Sequence, residues 1–183
     1  MVVGLRNLFL LSLLTAPLLG SYSAADQASI AGTLKPSEEV NALNGELRKV
    51  IRVVDGDTIV VSPNEKVRLI GVDTPETVHP KKAVACFGKE ASQFTRDAVE
   101  GKTVRLVLDK VNTKRRHKDH FGRTLAYAYL ADGTMLNREL VRRGYAPAEI
   151  RFPFRYRAEF RELEHQALIQ TVGLWSSCSL SEQ

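Results

Sequence analysis

The strongest constraint on the fold is the stretch from Leu47 to Val72, in which short runs of β-branched residues alternate with turn sequences. These runs predict strands at 50–54, 58–61 and 67–72. Asp55-Gly56 separates the first two, and Pro63-Asn64-Glu65 separates the second from the third. Turns this short leave no room for a helix, so the stretch must form a small antiparallel sheet.

Two later segments, 103–108 and 123–130, are also predicted strands, and three segments have helical periodicity. Apolar residues recur at a spacing of three to four, and a glycine follows each segment or ends it. The predicted helices are 90–100, 135–143 and 154–172. We therefore expect an α+β fold, mainly β: a five-stranded OB-fold barrel with about three helices. A mixed open sheet fits the same pattern.

The N-terminal 25 residues have the order of a secretory signal peptide: a short start with Arg6, an apolar run at 8–19, and small residues up to Ala25. The apolar run is shorter than the roughly 20 residues of a spanning helix, although an uncleaved membrane anchor is the alternative. The predicted organisation is a signal peptide at 1–25, a flexible leader at 26–46, a folded domain at 47–178 and a tail at 179–183. We expect a secreted or periplasmic monomer without stable membrane association after cleavage.

The charge of the chain favours an anionic partner. The formal net charge is +5 and the isoelectric point is about 9.3, so nucleic acid and anionic membranes are both candidates. Much of the charge lies between residues 110 and 120, which we call the basic segment. It fits a phosphate-binding rim, and it fits a solvated charged loop equally well. Its basic residues are Lys110, Lys114, Arg115, Arg116, His117, Lys118 and His120.

The first hairpin brings two carboxylates together. If its turn is centred on Asn64 and Glu65, Asp57 lies opposite Val72 and therefore beside Asp73. Adjacent carboxylates repel unless a cation lies between them, and hard oxygen ligands suit Ca²⁺ or Mg²⁺. The alternative is that both aspartates only form turns.

The neighbouring residues favour phosphodiester hydrolysis. Glu76 supplies a carboxylate that can take a proton from water, and Arg68 and Arg123 supply guanidinium groups for a phosphate. Strict strand alternation would place Arg68 and Asp73 on opposite faces. A bulge at Gly71 is the expected remedy.

Cys86 and Cys178 are an even pair in a chain expected to be exported. We favour a disulfide between them, with two buried thiols as the alternative.

The sequence closely resembles the staphylococcal nuclease family from about residue 47 to 176. Among the matching blocks are Asp55-Gly56-Asp57-Thr58 and the run from Arg68 to Thr77. The others are 79–82, 88–92, 121–127, 140–144 and 174–176. The resemblance implies an OB-fold barrel that hydrolyses DNA and RNA at the P–O5′ bond and leaves 3′-phosphate ends.

The resemblance also implies a role for each site residue. Asp57 and Asp73 would bind Ca²⁺ through their carboxylates, and Thr74 through its backbone carbonyl. Glu76 would be the general base. Arg68 and Arg123 would hold the scissile phosphate.

The nucleotide pocket departs from the family pattern, because Phe121, Ile150 and Phe152 stand where the family has tyrosines and His120 where it has a lysine. We expect His120, Phe121 and Phe152 to contact substrate. We also expect catalysis to persist and binding of a nucleotide bisphosphate inhibitor to weaken. The alternatives are a nucleic-acid-binding module without catalysis and an exported OB-type binding or adhesion module.

Overall fold

The computed structural model describes residues 44–78 and 83–179. The predicted signal peptide, nearly all of the predicted leader, the 79–82 block and residues 180–183 lie outside the described residues. Within these ranges, no helix has both the length and the apolar character that crossing a membrane requires.

Five strands form a closed barrel in the order β1-β2-β3-β5-β4. All neighbouring strands are antiparallel except β3 and β5, which are parallel. Two irregularities in β1 bend it, so that its two ends pair with different neighbours, β2 and β4. The strands are β1 Glu46–Asp55, β2 Thr58–Val61, β3 Glu65–Leu69, β4 Thr103–Leu108 and β5 Thr124–Tyr129.

The predicted helices are present, with bounds that differ by a few residues: α1 Gly88–Val99, α2 Leu136–Arg142 and α3 Arg157–Ile169. Two further elements were not predicted, a 3₁₀ helix at Lys110–Arg115 and a one-turn helix, α4, at Leu174–Ser177. These observations confirm the predicted fold class, a five-stranded barrel with helices around it.

Asn137 of α2 closes the barrel at its parallel pair. Its fully buried side chain donates to the carbonyl oxygens of Ile70 (2.9 Å) and Ala126 (3.2 Å) and accepts from the Ala128 N–H (2.9 Å). Buried backbone groups that lack a partner cost free energy, and here one amide makes hydrogen bonds to three backbone groups, one of which, the Ala126 carbonyl, also accepts the Ile70 N–H. The core around it comes from the barrel and from α2, with Phe160 of α3 against it.

The hairpin register differs from the predicted one. Thr58 pairs with Arg68 and Val61 with Glu65, so the turn is centred on Pro63 and Asp57 lies opposite Leu69, not Val72. The start of the domain also shifts, because Glu46, predicted to lie in the leader, pairs with Leu106 of β4.

Cys86 and Cys178 form a disulfide across a sequence separation of 92 residues. The bond joins the loop before α1 to the residue that follows α4. It therefore links the two ends of the region that contains β4, β5 and every helix of the described residues.

We expect removal of this bond with Cys86→Ser and Cys178→Ser to lower the free energy of unfolding by about 4–5 kcal/mol. The bond closes a long loop and so reduces the entropy of the unfolded chain, and the double variant regains that entropy when it unfolds. Urea unfolding of the double variant measures the change, and reduced wild type is the control. Equal midpoints for the oxidised wild type and the double variant would contradict this prediction.

Candidate active site

Asp55 and Asp57 of the Asp-Gly-Asp-Thr block are both buried, but they have different roles. One oxygen of Asp55 accepts from the Gly56 N–H (2.8 Å), from Thr77 (2.8 Å) and from Ser92 of α1 (3.0 Å). Asp55 therefore ties the end of β1 to α1 and to the segment after Thr74. Its role is structural, and it leaves Asp57 to face the site.

Gly56 is required between them because the chain passes close to Thr74 there. A Cβ on Gly56 would lie 2.7 Å from the Thr74 side chain. This close approach lets Thr74 donate both its N–H (2.9 Å) and its hydroxyl (3.0 Å) to Asp57 Oδ2. Thr74, predicted to act through its carbonyl, therefore also orients the Asp57 carboxylate.

Arg68 lies between the two predicted metal ligands. Its Nη1 is 3.1 Å from Asp57 Oδ2 and its Nη2 is 3.0 Å from Asp73 Oδ1. Nη1 also donates to the Val72 carbonyl at 2.5 Å. Asp57, Arg68 and Asp73 thus meet as predicted, although by a different geometry. A bulge at Gly71 was expected to bring Arg68 and Asp73 to the same face. Instead, the strand ends at Leu69, and a turn that contains Gly71, at φ +75°, brings the two side chains together.

Arg123 directly precedes β5 and reaches this group through Thr58. Its Nη1 donates to Thr58 Oγ1 (3.3 Å), and that hydroxyl donates to Asp57 Oδ1 (2.9 Å). The parallel pairing of β3 with β5 places Thr124 beside Val67, which brings Arg123 and Arg68 to the same end of the barrel.

Asp119 positions Arg123. Its Oδ2 is 2.6 Å from Arg123 Nε, and its Oδ1 accepts the N–H groups of Phe121 and Arg123, both at 2.9 Å. Burial alone would raise the pKa of Asp119, but these hydrogen bonds and the Arg123 charge outweigh burial and lower it. Asp119 is therefore a stable anion beside the guanidinium.

Sequence reasoning missed Asp119, and it also missed Glu149 and Arg151. Arg151 pairs with Glu149 and lies 3.5 Å from Asp73 Oδ2. The sequence did contain a signal for this pair. Glu149 and Arg151 flank Ile150, which packs against the core, and this alternation predicts that the two charged side chains point away from the core on the same face.

The pKa of Asp73 is raised, although two arginines lie within ion-pair distance of its carboxylate. Partial burial is the largest cause of the rise, and the Asp57 and Glu149 charges add to it, while the Arg68 and Arg151 charges act in the opposite direction. This electrostatic environment favours an added cation beside Asp73.

A cleft of about 390 Å³ opens beside these residues. Arg68, Asp73 and Arg123 line it together with the predicted substrate contacts His120, Phe121 and Phe152. Both phenylalanines are exposed, Phe121 by 70% and Phe152 by 53%, which leaves their rings open to a sugar or base.

Glu76 follows the cleft-lining Asp73 by three residues and is not among the residues that line the cleft. It is exposed, and its Oε1 accepts the Val78 N–H at 2.8 Å. Because it follows Thr74 by two residues, its backbone lies within about 7 Å of Thr74.

Within residues 44–78 and 83–179, no group of three or more His, Cys, Asp and Glu side chains is placed to hold a metal ion. The donors nevertheless fit Ca²⁺ chemically. Asp57 and Asp73 are hard oxygen ligands that share one guanidinium, and the raised pKa of Asp73 belongs to a partly buried carboxylate whose charge a cation would stabilise.

The chain is similar in sequence to known nucleases over most of its length. The sequence pattern of the family described as staphylococcal nuclease homologue matches residues 66–177. The chain is 41% identical over 151 residues to the thermonuclease of Staphylococcus hyicus, which covers 80% of this chain and 85% of the relative. Over 137 residues it is 42% identical to the thermonuclease of Staphylococcus intermedius, covering 73% and 78%. It is also 35% identical over 130 residues to the endonuclease YncB of Bacillus subtilis, covering 68% and 59%. The chain belongs to the staphylococcal nuclease family.

Proposed function

We propose that this protein is an exported, Ca²⁺-dependent nuclease that hydrolyses DNA and RNA at the P–O5′ bond and leaves 3′-phosphate ends. The observation that carries the proposal is the position of Arg68 between Asp57 and Asp73, at the edge of a cleft that Arg123 also lines. Two guanidinium groups, one from β3 and one from the residue before β5, together with two adjacent carboxylates suit a phosphodiester better than a neutral ligand.

The proposed reaction uses Glu76 as general base. Its carboxylate takes a proton from water as the water oxygen bonds to phosphorus, and the bond from phosphorus to the 5′ oxygen breaks. The departing 5′ oxygen then acquires a proton from solvent. One product keeps the 3′-phosphate and the other carries a free 5′ hydroxyl.

Arg68 and Arg123 stabilise the negative charge that grows on the phosphoryl oxygens in the transition state. Their ion pairs with Asp57, Asp73 and Asp119 hold both guanidinium groups in place before substrate binds. This preorganisation reduces the entropy lost at the moment of reaction.

Asp57, Asp73 and the Thr74 carbonyl would hold Ca²⁺, which when bound supplies charge neutralisation and polarisation of a phosphoryl oxygen. The proposal of export depends on the signal-like N-terminus, and the disulfide agrees with an oxidising compartment.

A nucleic-acid-binding module without catalysis is the competing function. The basic segment and the exposed phenylalanines would serve it. It gives no use to an arginine held between two adjacent aspartates at the edge of the cleft, so we favour the nuclease.

Glu76→Gln lowers kcat on single-stranded DNA by about 100- to 10,000-fold, because the amide takes no proton from water. Chelation of Ca²⁺ abolishes cutting by the wild type. Glu90→Gln, an exposed glutamate on α1, is the matched control and keeps wild-type activity. The nuclease proposal is wrong if the wild type cuts neither DNA nor RNA in Ca²⁺. The mechanism is wrong if chelator and Glu76→Gln leave cutting unchanged.

Asp119→Asn lowers kcat by about tenfold with little change in KM, because Arg123 loses the anion that orients it. In an Arg123→Ala background the same substitution has no further effect, which distinguishes positioning of Arg123 from a general loss of structure. Asp97→Asn on α1 is the control. Independent, additive losses in the double variant would contradict the assigned role.

Phe121→Tyr tightens inhibition by a nucleoside 3′,5′-bisphosphate by about fivefold, because the new hydroxyl can donate to a terminal phosphate. The exposed ring at the cleft leaves room for it. Inhibition constants of the variant and the wild type test this expectation, and equal constants would count against the altered-pocket interpretation.

A further inference from the structure

The basic segment is built into the fold at both ends. At its start, the buried carboxylate of Asp109 accepts from Tyr127 Oη (2.5 Å) and from the N–H groups of Arg155 (2.8 Å) and Val111 (2.9 Å). Burial would raise the pKa of Asp109, but these hydrogen bonds prevail and lower it. The 3₁₀ helix therefore starts from a fixed, charged anchor.

At the far end, Lys118 joins the segment to the barrel. Its Nζ lies 3.1 Å from Glu65 Oε1 and donates to Thr124 Oγ1 at 2.5 Å. The N–H of Leu125 donates to the His117 carbonyl at 2.8 Å, so the segment adds backbone pairing to the start of β5.

Between these anchors, Arg116 and His117 both adopt left-handed backbone angles, at φ +52° and +55°. Each costs roughly 1 kcal/mol for a residue with a side chain, so surrounding contacts must hold the conformation. The N–H groups of Arg116 and His117 both donate to the Asn112 carbonyl and close the turn. This turn fixes the backbone conformation directly after Arg115, and therefore limits where the Arg115 side chain can reach.

Arg115 lines the cleft, and its guanidinium carbon lies 5.9 Å from the centroid of the exposed Phe152 ring. The other arginines of the cleft are neutralised: Arg68 by Asp57 and Asp73, Arg123 by Asp119, and Arg151 by Glu149. Across the described ranges, Arg115 is the cleft-lining arginine without a carboxylate at salt-bridge distance. Its positive charge is available to an anion in the cleft.

We propose that Arg115 is a substrate-binding residue that holds the phosphate of a nucleotide next to the cleaved one, with the Phe152 ring beneath it. This inference rests on the proposed function, since it assigns a second phosphate to the same cleft. It also separates Arg115 from the rest of the basic segment. Lys114 and Arg116 carry the same charge, flank it in sequence and do not line the cleft.

The first test is binding in the absence of cutting. Fluorescence anisotropy with a labelled twelve-residue oligothymidylate in chelator gives Kd for the wild type, Arg115→Gln and Arg116→Gln. We expect Arg115→Gln to raise Kd about fivefold and to reduce the slope of log Kd against log salt by about 0.7, the value for one single-strand phosphate contact. Arg116→Gln, with the same charge change, should alter Kd by less than about twofold. Arg115→Lys should restore most of the affinity, because a point charge also binds phosphate.

The second test is kinetic. In Ca²⁺, Arg115→Gln should raise KM for the oligonucleotide about fivefold at unchanged kcat, and the effect should vanish with a dinucleotide that has only the scissile phosphate. Equal effects of Arg115→Gln and Arg116→Gln in the binding assay would overturn the inference, as would a KM effect that persists with the dinucleotide. If the wild type does not cut, the proposed function fails, and the binding assay still decides the role of Arg115.

Discussion

Closure of the barrel between β3 and β5 is the constraint on which the rest of the structure depends. These two strands are far apart in sequence and run parallel, and Asn137 satisfies backbone groups on both sides of the junction. If this closure were lost, Arg68 and Arg123 would lie on separate sheet edges. The chemistry of the site therefore depends on a buried amide that touches no substrate.

Negatively and positively charged side chains alternate along the site. Asp73, Arg68, Asp57, Thr58, Arg123 and Asp119 follow one another as acceptors and donors along a continuous chain of contacts. Each arginine has a carboxylate at its side, which limits repulsion between the two guanidinium groups. A phosphate entering the cleft therefore meets oriented donors, and little side-chain entropy remains to be lost.

Much of this could be predicted from the sequence, because strands rich in β-branched residues and helices followed by glycine are local patterns. The grouping of Asp57, Arg68, Asp73 and Arg123 was also predicted. The hairpin register was not, because it depends on a turn centred on Pro63 and on the pairing of β3 with β5 across the barrel. Asp119 and Glu149 were missed for a similar reason: their roles arise from the arginines they meet in the fold.

The disulfide divides the chain into a covalently closed part and an open part that precedes it. Residues 86 to 178 form a covalent ring that contains Arg123, while Asp57, Arg68, Asp73 and Glu76 precede the ring. One peptide bond cut by a protease within the ring leaves a single molecule, since sulfur still joins the two sides. A cut between residues 77 and 85 has the opposite result, since no covalent bond then joins Asp57 and Asp73 to Arg123. The short connection that leads into α1 is thus the place where one proteolytic event separates the two halves of the site.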